Sequence, residues 1–194
     1  MPKTEKLQDG TEILLRELVP GDFEDLIAFY LKLAEEDRLY LRIDVTNRKT
    51  VQQRLNLMDF GYHHRLIAIH NNEIMAEGAL ELPFEDWRRH QGELRLVVAK
   101  AFQRRGLGMI MMKELYCLSL RHSVETVVIW MMKPQTAALS LGRKVGFRDE
   151  CVLPSFVRDQ KGEMHDLIIL KGKTETLLKE IEGFFGPIDW QKCL

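Results

Sequence analysis

The sequence has little of what marks a membrane protein, a secreted protein or a general nucleic-acid binder. None of its apolar runs approaches the roughly 18 residues that a membrane-spanning helix needs. Its 28 lysines and arginines are balanced by 29 aspartates and glutamates, which excludes the basic excess typical of nucleic-acid binding. The start of the chain is charged and has no apolar core, so we expect no signal peptide. We therefore expect a cytoplasmic protein whose partners include neither membrane nor nucleic acid.

Cysteine is also scarce, and its pattern argues against a disulfide-rich domain and against a cysteine zinc site. Cys117, Cys151 and Cys193 are odd in number and widely spaced, so we expect reduced thiols. No pair has the CxxC spacing of a zinc site, and the His63-His64 pair lacks partner ligands at metal spacing. We expect no metal site.

What the sequence does have is the composition of an ordinary globular protein. Apolar residues make up 45% of its 194 residues and charged residues 29%. A chain of this length buries about 70% of the surface it exposes when unfolded. Because the sequence contains no internal repeat and no linker, we expect residues 1–194 to form one domain. Its core would cover about 12–170, and a helical tail would follow over 172–194.

The hydrophobic pattern predicts a mixed α/β fold with a partly parallel central sheet of about seven strands flanked by helices. Alternating or continuous apolar runs predict strands at 12–18, 64–70, 74–82, 93–99, 125–132, 147–157 and 163–171. Helical spacing predicts helices at 22–35, 49–58, 103–122, 134–144 and 174–185. Asp22 is expected to cap the first helix, and Asn71-Asn72 to form a hairpin turn.

One segment has the composition of an anion site. The loop 103–108 follows a strand and opens a helix, whose first N–H groups point outward with partial positive charge. Gly106 and Gly108 have no Cβ, so a phosphate can approach the backbone closely, and Arg104 and Arg105 add positive charge. The loop would suit a pyrophosphate.

Three alternatives stand beside this interpretation. The first is a glycine-rich helix start with two solvated arginines. The second is a nicotinamide dinucleotide site, but Met111 occupies the third glycine position of that fingerprint. The third, a GxxxxGK[ST] phosphate loop, is absent from the sequence.

Further motifs lie on both sides of this loop in a fixed order. Between Glu93 and Phe147 the sequence contains four segments in order: ELRLVVA, QRRGLG, TVVIWMM and KVGF. Near the start of the chain, residues Arg16 to Asp22 read RELVPGD. Together, over roughly residues 12–170, these segments resemble the GNAT superfamily of acyl-CoA-dependent N-acyltransferases. Two of them, RELVPGDFEDLIAFYLKLAEEDRLYLR and GELRLVVAKAFQRRGLG, are similar to bacterial protein lysine acetyltransferases.

The resemblance implies acetyl-CoA as co-substrate. The backbone of the strand before the loop would bind the pantetheine arm at Leu96, Val97 and Val98. The pyrophosphate would lie on Arg104, Arg105, Gly106, Leu107, Gly108 and Met109. Gln135 stands where many members have an asparagine that contacts the cofactor.

The resemblance also implies a general base at Glu93, which matches the catalytic glutamate of the lysine acetyltransferase branch. Arg95 lies two residues on, hence on the same strand face. An ion pair between them would lower the pKa of Glu93, and alternatively Arg95 would read an acidic group on the substrate. Other candidate bases are Glu77, Glu81 and His90.

These features predict an N-acetyltransferase that transfers the acetyl group of acetyl-CoA to a primary amine in a ternary complex. The acceptor is either a protein lysine or a small-molecule amine. The alternative is a CoA-binding module with little catalysis. Gly142, Gln135 and Arg95 favour it. At the place of Gly142, many members have a tyrosine that protonates the leaving thiolate. For the C-terminal helix, a role in a homodimer stands beside simple packing.

Overall fold

A mixed sheet of eight strands forms the centre of the part of the chain described by the computed structural model, residues 2–188 and residue 193. The strands are β1 (Lys3–Lys6), β2 (Glu12–Glu17), β3 (His63–His70), β4 (Glu73–Glu81), β5 (Gln91–Val98), β6 (Thr126–Met132), β7 (Arg148–Arg158) and β8 (Met164–Lys173). Their order is β1-β2-β3-β4-β5-β6-β8-β7. Only the β5–β6 pair is parallel among these strands.

Helices cover both faces of the sheet. They are α1 (Phe23–Lys32), α2 (Glu35–Arg38), α3 (Arg48–Asn56), α4 (Leu107–Arg121), α5 (Thr136–Lys144) and α6 (Thr174–Phe185). Within the described residues, no helix combines the length and the apolar character needed to cross a membrane.

The structure confirms the predicted fold class, with eight strands where about seven were expected. The additional strand is β1, whose four residues KTEK lack an apolar alternation and lie at the sheet edge beside β2. The helix expected from residue 103 begins at Leu107. The backbone of Arg104 (φ 57°) and Gly106 (φ 93°) is left-handed, which ends the preceding turn before α4 starts.

Local turn chemistry was predicted well at one place and wrongly at another. Asn71 and Asn72 have φ values of 50° and 62°, which gives the tight turn between β3 and β4. Asp22 occupies the N-cap position of α1 without capping it. Its carboxylate instead accepts the Val19 N–H (2.8 Å) and pairs with Arg16 (2.6 Å).

Two apolar cores hold the helices on the sheet. The core beneath α4 and α6 includes Met111, Leu115 and Tyr116, each fully buried. The core beneath α1 and α3 includes Leu26 and Ile67. Because successive side chains of a strand point to opposite faces of the sheet, neighbouring residues of one strand pack into different cores.

The C-terminal helix packs within the chain. Leu177, Leu178 and Ile181 of α6 are buried in the larger core. A disulfide joins Cys117 of α4 to Cys193, so the expectation of reduced thiols is wrong for these two residues and holds for Cys151. Spacing along the sequence could not reveal this pair, because its 76-residue separation is closed only by the fold.

Two glycines near α6 give a matched test of this packing. A Cβ on Gly172 would lie 2.7–2.9 Å from three atoms of the buried Leu177 side chain, whereas one on Gly183 meets nothing within 4 Å among the described residues. Gly172→Ala is expected to lower the free energy of unfolding by about 1–3 kcal/mol through overpacking. Gly183→Ala is expected to raise it by about 0.5 kcal/mol through helix propensity. Urea denaturation measures both, and equal effects would contradict the described packing.

Candidate active site

A cleft opens where the two parallel strands separate. β5 and β6 pair only at Gln91↔Thr126, Gly92↔Val127 and Glu93↔Val128. Beyond these pairs, β5 stays bonded to β4 as far as Val98, and β6 stays bonded to β8 as far as Met132. In the described chain, the edges of β5 and β6 that face each other there form no strand pairing. Unpaired backbone N–H and C=O groups therefore line the cleft and can bind an extended ligand.

The predicted pantetheine-binding residues lie along this edge of β5. The side chains of Leu96 and Val98 pack toward the larger core, and that of Val97 packs toward the smaller one. Their side chains therefore serve the fold, and the Val98 carbonyl accepts a hydrogen bond from the Gln103 side chain at 3.0 Å.

The predicted anion loop follows the open end of the cleft. Gly106 caps α4, and the Met109 and Ile110 N–H groups bond back to its carbonyl at 3.1 Å. The N–H groups of Leu107 and Gly108 have no acceptor within the helix. A Cβ on Gly108 would lie 3.0 Å from the Leu141 side chain. A larger residue at this position would therefore require Leu141 to move slightly.

The two arginines of the loop differ in what they contact. Arg105 pairs with Asp9 (2.6 Å) and donates to the Thr11 hydroxyl (2.7 Å), which ties the loop to the segment before β2. Arg104 is exposed and forms no ion pair or hydrogen bond with any residue that the structure describes. Arg104 is therefore the cation that remains available to an anion, a distinction that the sequence did not reveal.

Gln135 lies at the start of α5, after β6. Its side-chain oxygen accepts the Met132 N–H at 2.7 Å. The side chain thus holds the end of β6, beside the cleft, by its oxygen.

Glu93 lies at the last paired position of β5, where the cleft begins. Its carboxylate is mostly buried and pairs with Arg42, from the segment between α2 and α3. Burial raises the pKa of Glu93, and Arg42 offsets this only in part. Arg42 also lies over the Trp130 ring, 5.1 Å from its centroid. A carboxyl group with a raised pKa accepts a proton more readily than an ordinary glutamate.

Of the two alternatives for Arg95, the structure does not show the ion pair with Glu93. Its guanidinium lies 3.1 Å from Glu81 on the neighbouring strand, and Arg54 of α3 pairs with the same carboxylate. Burial alone would raise the pKa of Glu81, but Arg95 and Arg54 lower it to about 2. Glu81 is thus held as an anion and is a poor base.

The other two candidate bases are also occupied or remote. Glu77 is buried, pairs with Arg65 and accepts the Tyr30 hydroxyl at 3.3 Å. His90 is exposed and precedes β5, at the end opposite the open cleft. Of the four candidates, Glu93 therefore has the best environment for proton transfer at the cleft.

Four side chains of this site were missed by sequence reasoning: Tyr30, Arg42, Arg54 and Arg65. Arg65 carried a signal, since it is a charged residue directly before the apolar run Leu66–Ile69 of the same strand. Arg42 and Arg54 come from a loop and a helix, and only the fold brings them to the sheet.

A side chain at Gly142, where the resemblance to the family implies a tyrosine, would meet buried neighbours. A Cβ on Gly142 would lie 3.0 Å from Leu170 and 3.6 Å from Met131. Both neighbours belong to the core, so a tyrosine at this position would displace packed side chains.

A cluster with metal-ligand chemistry lies outside the cleft. Asp159, Glu163 and His165 have ligand atoms within 4.8 Å of one another at the β7–β8 turn. The Asp159 carboxylate already accepts the N–H groups of Lys161 (2.8 Å) and Glu163 (3.0 Å) and contacts His165 (2.9 Å). These contacts stabilise the hairpin turn, which explains why the three side chains lie close together.

Known proteins share this sequence pattern and this fold. The sequence profile of the acetyltransferase (GNAT) family matches residues 31–147. A GNAT-family acetyltransferase from Streptococcus pneumoniae has 21% identity and a TM-score of 0.72, over 83% of this chain and 99% of that one. A ribosomal-protein-alanine N-acetyltransferase from Brucella melitensis has 19% identity and a TM-score of 0.71, over 82% and 98%. A spermidine N-acetyltransferase from Vibrio cholerae, in complex with CoA and spermine, has 14% identity and a TM-score of 0.71, over 86% and 98%.

The ion pair with Arg42 can be tested by titrating Glu93 directly. In the Arg42→Met variant the counter-charge is lost while an apolar stem remains over Trp130, so burial and the Glu81 charge, which both raise the pKa of Glu93, are opposed only by Arg95. The titration midpoint of Glu93, followed by its carboxyl ¹³C resonance, is expected to move to higher pH. Arg89→Met, an exposed arginine elsewhere, is the control and should leave the midpoint unchanged. A midpoint that stays or falls in Arg42→Met would show that Arg42 does not oppose the effect of burial.

Proposed function

The chain belongs to the GNAT family of acetyltransferases, and from this premise we propose that it transfers the acetyl group of acetyl-CoA to a primary amine, with Glu93 as general base. One observation carries the proposal. Glu93 is a mostly buried carboxylate with a raised pKa at the point where β5 and β6 separate. A base at this position lies where the reacting ends of two ligands entering from opposite sides would meet.

Acetyl-CoA fits the described cleft and loop. The open edge of β5 at Leu96–Val98 offers backbone groups to the amides of a pantetheine arm. The first N–H groups of α4 and the free Arg104 offer positive charge to a pyrophosphate. Gly106 and Gly108 have no Cβ, so their backbone can be approached closely.

Glu93 prepares the acceptor for reaction. A lysine-type amine has a pKa near 10.4, so only about one molecule in 2,500 is neutral at pH 7. Glu93 takes a proton from the ammonium, directly or through a water molecule. The neutral amine attacks the thioester carbonyl within the ternary complex, and backbone N–H groups near Val97 and Val98 polarise that carbonyl.

The thiolate leaves without a tyrosine acid from α5. A thiol has a pKa of about 8.5, so its thiolate is a tolerable leaving group. The lack of space at Gly142 supports a reaction that does not use this acid. The same feature is what favours the second candidate, a CoA-binding module with little catalysis.

The acceptor belongs to the wide class of primary amines. Structures similar to this chain include enzymes named for ribosomal-protein alanine and for spermidine. A protein amine, including lysine, and a small-molecule amine both remain within the proposal. The continuity of the sheet from β1 to β7 supports one acetyltransferase domain over residues 1–194. Of the helical tail expected over 172–194, α6 covers Thr174–Phe185, and residues 189–192 and 194 lie outside the described residues.

Replacing Glu93 tests the proposed base. Glu93→Gln is expected to lower kcat by about 10²- to 10⁴-fold with an accepted amine, because the amide cannot take a proton. The Kd for acetyl-CoA should not change. Glu73→Gln, an exposed glutamate of β4, is the control and should retain the wild-type rate. An unchanged rate in Glu93→Gln would remove Glu93 from the mechanism, and CoA binding without acetylation of any amine would favour the module.

The wild-type pH profile follows from the same assignment. The rate constant kcat/KM should fall as the pH drops through the pKa of Glu93, since the protonated carboxyl cannot act as a base. Because burial raises that pKa, the acidic limb should lie above the range of an ordinary glutamate. A limb within the ordinary range would contradict the effect of burial.

Replacing Arg104 tests the proposed pyrophosphate site. Arg104→Gln keeps a side chain at the left-handed position, so the backbone strain is unchanged while the charge is lost. The Kd for acetyl-CoA, measured by calorimetry, is expected to rise about fivefold, as for an exposed ion pair. The effect should shrink at high salt. Arg89→Gln is the control, and an equal Kd in all three proteins would place the pyrophosphate elsewhere.

A further inference from the structure

The wall of one cavity beside Glu93 carries more positive than negative charge. The cavity lies between the sheet and the α1–α3 segment, and its charged lining is three arginines, Arg54, Arg65 and Arg95, with two carboxylates, Glu77 and Glu81. The rest of the lining is Tyr30 and apolar residues. The neighbouring Arg42–Glu93 pair is neutral as a unit. The cavity therefore has one guanidinium more than its carboxylates can balance.

Two of these arginines have an N–H group that no described residue accepts. Arg65 is only 4% exposed, and its Nε–H has no acceptor among the residues that the structure describes. The Nε–H of Arg54 is likewise without an acceptor in that part of the chain. Burial and the nearby Arg95 lower the pKa of Arg54, which is the direction expected of a cation with too little counter-charge. Buried donors and charges left unpaired are costly, and an anion in the cavity would relieve that cost.

The cavity is placed to hold one end of the acceptor while Glu93 acts on the other. Arg95 lies two residues after Glu93 on the same face of β5, a separation of about 7 Å along a strand. Across the sheet, Ala79 pairs with Arg95 and Glu81 pairs with Glu93. A group bound by the arginines would therefore lie within a few bonds' reach of an amine at Glu93.

We propose that the acceptor is a primary amine that carries a carboxylate, and that Arg54, Arg65 and Arg95 bind this carboxylate while the amine faces Glu93. The inference rests on the proposed acetyltransferase function and narrows its substrate class. The source of the carboxylate is either a small amino acid or an acidic side chain close to the amine of a peptide. Polyamines are poor acceptors in this account, because their second positive charge would meet the excess guanidinium.

A matched pair of acceptors tests the carboxylate. We expect 4-aminobutyrate to be acetylated with a kcat/KM at least about tenfold higher than 4-aminobutanamide, which has the same chain without the charge. Arg95→Met should reduce this ratio at least about fivefold, whereas Arg89→Met should keep it. Comparing the ratio between variants cancels the different amine basicities. Spermidine should be slower than 4-aminobutyrate. If a peptide supplies the carboxylate, C-terminally amidated Ala-Asp-Ala should be acetylated faster than C-terminally amidated Ala-Asn-Ala; equal rates would leave the small amino acid as the source.

A binding measurement separates the failure of this inference from the failure of the proposed function. N-acetyl-4-aminobutyrate should bind to the wild-type protein with CoA at least about tenfold more tightly than its amide, whether or not turnover occurs. Tighter binding of the acid without acetylation of any amine would reject the enzyme and keep the anion site. Acetylation of the amide or of spermidine at least as fast as the acid would reject the anion site and keep the enzyme. Equal binding of acid and amide would also overturn the anion site.

Discussion

The short parallel pairing of β5 with β6 is the constraint on which the site depends. Three residue pairs hold the strands together, ending at Glu93↔Val128, and each strand then keeps only its other neighbour. The separation exposes backbone groups without unfolding either strand, because β4 and β8 continue to pair with them. The cleft, the position of Glu93 at its closed end and the glycine loop beyond its open end all follow from where this pairing stops.

Two carboxylates directly opposite each other on neighbouring strands have opposite environments. Glu81 is held as an anion by Arg95 and Arg54, with a pKa of about 2. The pKa of Glu93 is raised by burial, and the charge of Glu81 adds to this increase. Pairs of acidic groups whose pKa values are driven apart commonly divide the tasks of a site. Here Glu81 organises arginines and Glu93 remains suited to accept a proton.

The sequence predicted most of the fold and the segments that meet at the candidate site. The apolar patterns marked α6 at its observed bounds, and QRRGLG was recognised as the segment that opens α4, which begins at Leu107 within it. The edge strand β1 escaped prediction because its charged residues have no buried face, and the 76-residue separation hid the Cys117–Cys193 bridge.

The ion-pair partners could not be predicted, because they depend on tertiary contacts. Strand alternation correctly put Arg95 and Glu93 on one face, but which carboxylate Arg95 binds is decided by Glu81 across the sheet and by Arg42 from a distant loop. The difference between Arg104 and Arg105 has the same origin, since Asp9 and Thr11 reach only Arg105.

A crystal structure of the protein with acetyl-CoA tests the central claim most directly. The account predicts density for the pantetheine arm between β5 and β6 along Leu96–Val98, for the pyrophosphate at the start of α4, and for the acetyl group at the Glu93 end of the cleft. Density for the cofactor on another surface, or an acetyl group remote from Glu93, would contradict it.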